Sequence, residues 1–182
     1  MLDAMDAGFK AAEQDGLPSL DLCVSLLRTQ SADEAIELVD TLRTMHHPRV
    51  VALSVDGNEA TAGRTGPRFA DAFRRAGENG LRRTVHAGES SGPEGVWDAM
   101  NLLGADRIDH GVRAIEDSAL VHMLADRQIP LGVCPKPFSA FGRTIYGLVV
   151  PPWAVRHQIL ESQSDTRAFA MKSADAAHKP AN

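Results

Sequence analysis

The segment from 81 to 111 reads Leu-Arg-Arg-Thr-Val-His-Ala-Gly-Glu-Ser-Ser-Gly-Pro-Glu-Gly-Val-Trp-Asp-Ala-Met-Asn-Leu-Leu-Gly-Ala-Asp-Arg-Ile-Asp-His-Gly. Its first residues, Leu81 to His86, predict a strand. Gly92 and the proline after it open a predicted helix with apolar residues at spacings of three and four, and Gly104 ends that helix. Arg107 to His110 is a second short strand. A strand, a crossover helix and another strand predict two neighbouring parallel strands.

The same alternation continues on both sides of this unit. A predicted helix, Leu2 to Gln14, comes first, and a capping box at Ser31 and Glu34 opens another that runs through Leu42. Regular alternation of strands and helices is typical of the α/β class with a parallel sheet. We therefore predict about five consecutive βα units, which belong either to a barrel or to an open sheet. The other predicted strands are Leu20 to Leu26, Val50 to Val55 and Pro130 to Cys134.

The composition favours an ordinary globular protein and excludes several functional classes. The chain has 182 residues, of which 43% are hydrophobic and 24% charged, and its net charge is −5. Without a basic run, a nucleic acid partner is not expected. The apolar runs are far shorter than the roughly 20 residues that span a bilayer, so no membrane partner is expected either. Cys23 and Cys134 form neither a disulfide framework nor a CxxC site, which favours a reducing, cytoplasmic location.

The regular pattern ends near residue 135. We predict one folded unit over residues 1–135. Residues 136–182 contain a proline-rich run and a polar, alanine-rich tail. This composition predicts a divergent, partly disordered C-terminal segment.

Polar residues cluster where the predicted strands end, which is where parallel sheets and barrels bind their ligands. The clusters are Asp56 to Glu59, His86 to Glu89 and Asp109 to Gly111. In the second cluster a flexible Ala-Gly step separates an imidazole from a carboxylate. Such a pair suits a zinc ion that keeps one position for water, and His110 could orient or deprotonate that water. The alternative is structural: each histidine would be hydrogen-bonded in the fold and each glycine would serve a turn.

Three of these segments, in their order, resemble the adenosine deaminase family. They are Thr84 to Glu89, Arg107 to Gly111 and Val133 to Pro135. Two further segments, Asp56 to Glu59 and Pro93 to Trp97, are similar to the family as well. The likeness runs from about residue 2 to 135, and the chain is identified as a member on these motifs.

The resemblance implies a (β/α)8 TIM barrel that uses one zinc ion to deaminate adenosine, or a related 6-aminopurine, to the 6-oxo product and ammonia. Its partner would be a small-molecule purine nucleoside. By the same resemblance His86 is a zinc ligand, and Glu89 donates a proton to the purine ring nitrogen. His110 would activate the attacking water, and Gly57 would offer its backbone N–H to the purine.

The chain also departs from the family pattern. The family has a His-x-His pair on its first strand and an Asp-Asp pair on its last, and neither pair occurs in these 182 residues. Three of the expected protein ligands to zinc are therefore absent, and His86 remains.

These departures lead us to expect an internal fragment of a barrel that lacks the first and last strands. A truncated or frameshifted reading frame would produce such a fragment, and we expect it to be inactive alone. Its open edges would favour self-association. A non-catalytic remnant that binds a partner or a purine is the alternative. A complete flavodoxin-like domain ranks last, because Leu27 to Gln30 offers no glycine-rich loop for a phosphate.

Overall fold

A parallel sheet of five strands forms the frame of the molecule. The computed structural model describes residues 2–133 and 148–150. Neighbouring strands pair in parallel from the first to the fifth, and the α/β prediction is confirmed. The strands are β1 (Leu22–Leu27), β2 (Val50–Asp56), β3 (Arg82–Ala87), β4 (Arg107–His110) and β5 (Leu131–Val133).

The order of these strands distinguishes a barrel from an open sheet. Each new strand is added beside the previous one, so the order β1-β2-β3-β4-β5 never reverses. A flavodoxin-like sheet needs a reversal at its switch point, and that alternative is wrong. The molecule is a partial (β/α) barrel of about five consecutive units. Its helices are α1 (Leu2–Gln14), α2 (Ala32–Met45), α3 (Glu59–Ala62), α4 (Ala70–Glu78), α5 (Pro93–Asn101) and α6 (Ser118–Asp126), with 3-10 turns at Gly66–Phe69 and Val112–Glu116.

None of the helices in the described residues is long and apolar enough to cross a bilayer. The longest of them, α2, has 14 residues. It begins with the predicted capping box, in which Ser31 and Glu34 exchange hydrogen bonds. Two of the amides at the helix start are satisfied in this way, which fixes where α2 begins.

A sixth strand, β6 (Leu148–Val150), pairs antiparallel with β5. The sequence did not predict it, because three residues beside a proline pair give no periodic signal. The rest of the predicted C-terminal segment, like Cys134 at the predicted end of β5, lies outside the described residues. The domain boundary near residue 135 therefore stays a prediction.

One row of apolar side chains crosses the whole sheet and forms its helix-facing core. The strand register places these residues directly opposite one another on neighbouring strands. All five are fully buried, and Phe69 and Phe73 are buried with them in the same core. The row consists of Leu26, Val55, Val85, Ile108 and Leu131.

This row also fixes what the other face of the sheet carries. Side chains alternate between faces along a strand, so the residue after each member of the row points away from the helices. Those residues include Asp56, His86 and Asp109, and the last two are opposite each other in the register of β3 and β4. The polar strand ends therefore share the inner face of the barrel.

The outer edge of β1 has no pairing strand among the described residues. Leu27, at the end of that strand, is 54% exposed. An unpaired strand edge with apolar neighbours is a surface on which another strand can add. Self-association through this edge, which the sequence suggested, stays a prediction.

Replacing Phe73 by alanine tests the assigned core. Phe73 is fully buried on α4, so the Phe73→Ala variant should lose about 3–5 kcal/mol of unfolding free energy in a urea titration. Leu17→Ala is the control, because Leu17 is 59% exposed and its loss should change stability by about 0.5 kcal/mol or less. Equal losses in the two variants would contradict the assigned core.

Candidate active site

The four residues predicted for the site lie together at the carboxyl ends of β2, β3 and β4. The rings of His86 and His110 are 5.2 Å apart between centroids and tilted by 55°. His110 Nε2 is 3.8 Å from Glu89 Oε2. Gly57, directly after β2, lines the same cleft as His86 and Glu89. The fold thus assembles two imidazoles, a carboxylate and a backbone amide at one place, while the role of each remains a prediction.

The cleft beside these residues has a volume of about 540 Å³. That volume falls within the range of about 300–1,000 Å³ found for small-molecule sites. A groove of about 600 Å³ along α2 is larger, but all of its lining residues belong to that one helix and none to a strand end. We therefore place the site in the smaller cleft, which is lined by Asp56, Gly57, Asn58, Ala60, His86, Glu89 and Ser90.

The ring of His86 is oriented by a backbone carbonyl. Its Nδ1 lies 3.2 Å from the oxygen of Val55 on the neighbouring strand. A carbonyl oxygen can only accept, so a hydrogen bond here requires the proton on Nδ1, which in a neutral ring leaves the lone pair on Nε2. A second ring nitrogen held by a carbonyl is common in metal-binding histidines, and this orientation suits His86 as one ligand.

His86 does not make a complete metal site with its described neighbours. Within residues 2–133 and 148–150, no three histidine, cysteine, aspartate or glutamate side chains converge on a point that could hold a metal ion. A catalytic zinc needs three protein ligands or more. The described part of the chain therefore offers one imidazole, which is less than a complete ligand set, to such a metal.

His110 has an unusual backbone conformation. Its φ is +69°, in the left-handed region that residues with a side chain rarely adopt. Two hydrogen bonds hold the turn that follows: Gly111 N–H donates to Ala87 O at 2.9 Å and Arg113 N–H to Gly88 O at 2.9 Å. These bonds fasten the end of β4 to the end of β3, so His110 is held beside Glu89 despite the strain.

A charged cluster surrounds the base of His86 on the inner face of the sheet. Thr84 Oγ1 donates to Asp109 Oδ2 at 2.7 Å, and Arg107 Nη2 is 2.9 Å from Asp109 Oδ1. The same carboxylate lies 4.0 Å from His86 Nδ1. A hypothetical Cβ on Gly132 would come within 2.6 Å of Asp109 Oδ1, so a larger residue there would displace this carboxylate. The interior beneath the site is thus polar and already paired.

A buried arginine joins the ends of three strands. Arg28 comes directly after β1, and its guanidinium donates to Gly57 O at 3.1 Å, to Gly63 O at 3.3 Å and to His86 O. Its Nη2 is also 3.8 Å from Glu59 Oε1, and both side chains are 2% exposed. Burial lowers the pKa of Arg28, and the nearby Glu59 carboxylate opposes that change.

Glu59 in turn holds the segment that carries Glu89. Its carboxylate accepts from the N–H groups of residues 88, 89, 90 and 91 at 3.2, 2.9, 2.7 and 3.1 Å, and from Ser91 Oγ at 2.6 Å. Burial alone would raise the pKa of Glu59. The hydrogen bonds from Ser90 and Ser91 and the charge of Arg28 outweigh burial and keep that pKa below its ordinary value.

The sequence did not assign a role to either member of this pair. Glu59 was noted only as part of a polar strand end, and Arg28 only as part of a loop without glycine. The local sequence gave no clear signal for the pair, because most arginines are exposed, and an acidic partner is required only when distant contacts bury the arginine.

Solved structures place this architecture among the TIM-barrel amidohydrolases. An amidohydrolase from Burkholderia ambifaria with bound zinc superposes with a TM-score of 0.68 at 26% identity, over 93% of this chain and 41% of that one. A model for the adenosine deaminase family matches residues 1–142. The chain belongs to the adenosine deaminase family, as its motifs predicted.

Two relatives show how much of the family's length is present. The adenine deaminase of Pseudomonas fluorescens is 40% identical over 135 residues, which are 74% of this chain and 42% of that protein. The adenosine deaminase of Yersinia pseudotuberculosis is 34% identical over 181 residues, or 98% of this chain and 53% of that protein. The chain thus spans about half the length, or less, of these relatives.

Gly88→Ala tests how closely the Glu89 segment packs on α5. An added Cβ would lie 2.6 Å from Val96 Cγ2, at a φ of +66°. Gly80→Ala is a matched control, since its φ is +81° and nothing lies within 4 Å. Backbone strain should lower the unfolding free energy of the control by about 1–2 kcal/mol. Gly88→Ala should lose about 1–3 kcal/mol more, because its added Cβ also overpacks against Val96. Equal losses of unfolding free energy would contradict the close packing.

The lowered pKa of Glu59 predicts a pH-dependent stability. Since the pKa in the folded protein lies below the ordinary value of 4.5, the ionised carboxylate stabilises the fold above that value. The contribution is lost as the pH falls through the folded pKa. Urea titrations of the wild type and Glu59→Gln should therefore differ most at neutral pH and converge in acid. A difference that stayed constant with pH would show that the charge is not responsible.

Proposed function

We propose that this chain carries the purine-binding and proton-transfer part of a deaminase site that hydrolyses a 6-aminopurine to the 6-oxo purine and ammonia. The observation that carries the proposal is the convergence of His86, Glu89 and His110 beside the Gly57 cleft. Membership of the adenosine deaminase family supports it. Whether the substrate is adenosine or adenine is part of the test, because relatives of both names match.

Each residue has one task in this proposal. The backbone N–H of Gly57 donates to the purine, and Glu89 in its protonated form donates to the ring nitrogen beside the amino-bearing carbon. That proton withdraws electron density from the carbon, which favours attack by water. His110 accepts one proton from the water and passes it to the departing amino group. As the added hydroxyl becomes the carbonyl, its remaining proton returns to Glu89. Water and the aminopurine thereby give the 6-oxo purine and ammonia.

We propose zinc as the metal and Nε2 of His86 as one of its ligands. When bound, zinc supplies a water with a pKa near 7, which makes a nucleophile at neutral pH. The ring orientation set by Val55 O favours this role for His86. The other ligands would come from residues outside the described part of the chain, since one imidazole holds zinc weakly.

A second candidate function follows from the incomplete ligand set among the described residues. A chain with a purine cleft and one metal ligand would bind a purine without converting it. The expectation that the 182 residues alone are inactive stays a prediction, and the same assay tests it. In this alternative the cleft still recognises the purine through Gly57.

The assay measures ammonia release and the ultraviolet change with adenine or adenosine, in the presence of added zinc. For the catalytic proposal we expect ammonia release that falls by about 100-fold or more in Glu89→Gln, because that variant has no proton to donate. Glu94→Gln is the control: Glu94 lies in the first turn of α5, just after the same connection, and is not among the residues that line the cleft.

Each outcome of this assay decides between the two candidates. Turnover that persists in Glu89→Gln would contradict the role of Glu89. Absence of turnover together with binding of labelled adenine or adenosine in equilibrium dialysis would favour the non-catalytic candidate. Absence of both would contradict the two proposals together. Bound zinc that His86→Ala removes would support His86 as a ligand.

A further inference from the structure

We propose that Glu59 is a positioning residue whose buried carboxylate, balanced by Arg28, shapes segment 88–91 and so presents Glu89 to the cleft. Glu59 does not act on a purine itself in this scheme; it acts through the backbone of its neighbour. The inference rests on the proposed function for the role of Glu89. The shaping of the segment stands on the geometry of the carboxylate alone.

The first argument is the convergence of four consecutive amides on one side chain. Segment 88–91 lies between the end of β3 and the start of α5, so neither sheet nor helix pairs its N–H groups. All four donate to Glu59 instead. These bonds are buried or partly buried, and amides screened from water need acceptors. A carboxylate offers about four acceptor positions where a glutamine offers two. The segment can keep this shape with a glutamate at position 59.

The second argument is the charge balance. Both side chains of the Arg28–Glu59 pair are 2% exposed, so an unpaired Glu59 carboxylate would be strongly disfavoured at this place. Arg28 also donates to the carbonyls of Gly57 and His86. One buried ion pair therefore holds the backbone of three predicted site residues: Gly57 and His86 through the arginine, and Glu89 through the glutamate.

The third argument is the absence of a side chain at Gly95. A Cβ there would lie 2.2 Å from Ser91 Oγ and 3.1 Å from Glu59 Oε1. Gly95 is inside α5, where alanine is the better helix former, so helix propensity does not explain the glycine. The close approach of α5 to the carboxylate does explain it. Gly95→Ala therefore disturbs the same arrangement from the opposite side.

The first experiment measures amide hydrogen exchange on the full chain by NMR. In the wild type the amides of residues 88–91 should be protected. In Glu59→Gln they should exchange about tenfold faster or more, because hydrogen bonds to a charged acceptor are lost. The amide of Val85, inside β3, should keep its protection. Unchanged exchange at residues 88–91 would overturn the proposal whatever the chain does with purines.

The second experiment separates positioning from general stability with a double-mutant cycle on ammonia release. Glu59→Gln should lower kcat on the order of 100-fold with a smaller change in KM, because Glu89 is misplaced. Once Glu89→Gln is present, adding Glu59→Gln should lower kcat no further. A multiplicative loss in the double variant would overturn the proposal, since it would mean that Glu59 does not act through Glu89.

Asp117→Asn is the matched control for both experiments. Asp117 is also a carboxylate that accepts two backbone amides, those of Ala119 and Leu120, together with Trp97 Nε1. It caps α6, so its replacement removes the same charge without touching segment 88–91. Exchange at 88–91 and kcat should both stay at wild-type values in this variant.

Gly95→Ala covers the case in which Glu59→Gln does not fold. It should give the same pattern of faster exchange at residues 88–91, in a helix that is intrinsically more stable. Protection unchanged in a folded Gly95→Ala variant would overturn the proposal. If the wild type releases no ammonia, the catalytic proposal fails by itself, and amide exchange still decides whether Glu59 shapes the segment.

Discussion

The buried ion pair between Arg28 and Glu59 is the interaction on which the site depends. Burying two charges is costly, and their attraction offsets that cost only when the remaining donors and acceptors are also satisfied. Here three carbonyls accept from the guanidinium, and four amides and a hydroxyl donate to the carboxylate. Because the partners come from the ends of different strands, satisfying the two charges also fixes those ends relative to one another.

The core and the site are linked through the alternation of side chains along each strand. Val55 and Val85 are opposite each other in the fully buried row, so Asp56 and His86 must follow them on the inner face. A slip of one residue between β2 and β3 would exchange the two faces. The apolar row thus fixes the register, and the register places His86 where Val55 O can orient its ring. Hydrophobic burial at the helices therefore helps to orient the ring of a histidine on the opposite face.

The elements that depended on local sequence were predictable, and those that depended on distant contacts were not. Short segments between the predicted helices, several of them bounded by glycine or proline, located all five parallel strands, and the capping box located the start of α2. The predicted site residues met because parallel strands end at one edge of the sheet. The Arg28–Glu59 pair could not be predicted in the same way, since it joins residues from different βα units and becomes a pair only when both are buried. The left-handed φ of His110 likewise arises from bonds to β3.

The position of Glu59 explains how a residue outside regular structure can be placed accurately. Glu89 lies on a connection, and its own side chain is half-exposed, which leaves it free to reach a ligand in the cleft. Its backbone needs a separate constraint, because α5 begins at Pro93, which has no N–H to donate, and β3 has already ended. The carboxylate of Glu59 supplies that constraint from beneath, while Gly88 and Gly95 let the segment pack against α5. A half-exposed side chain on a fixed backbone suits the proton transfer that we propose for Glu89, because the donor can reach the substrate without the segment moving away.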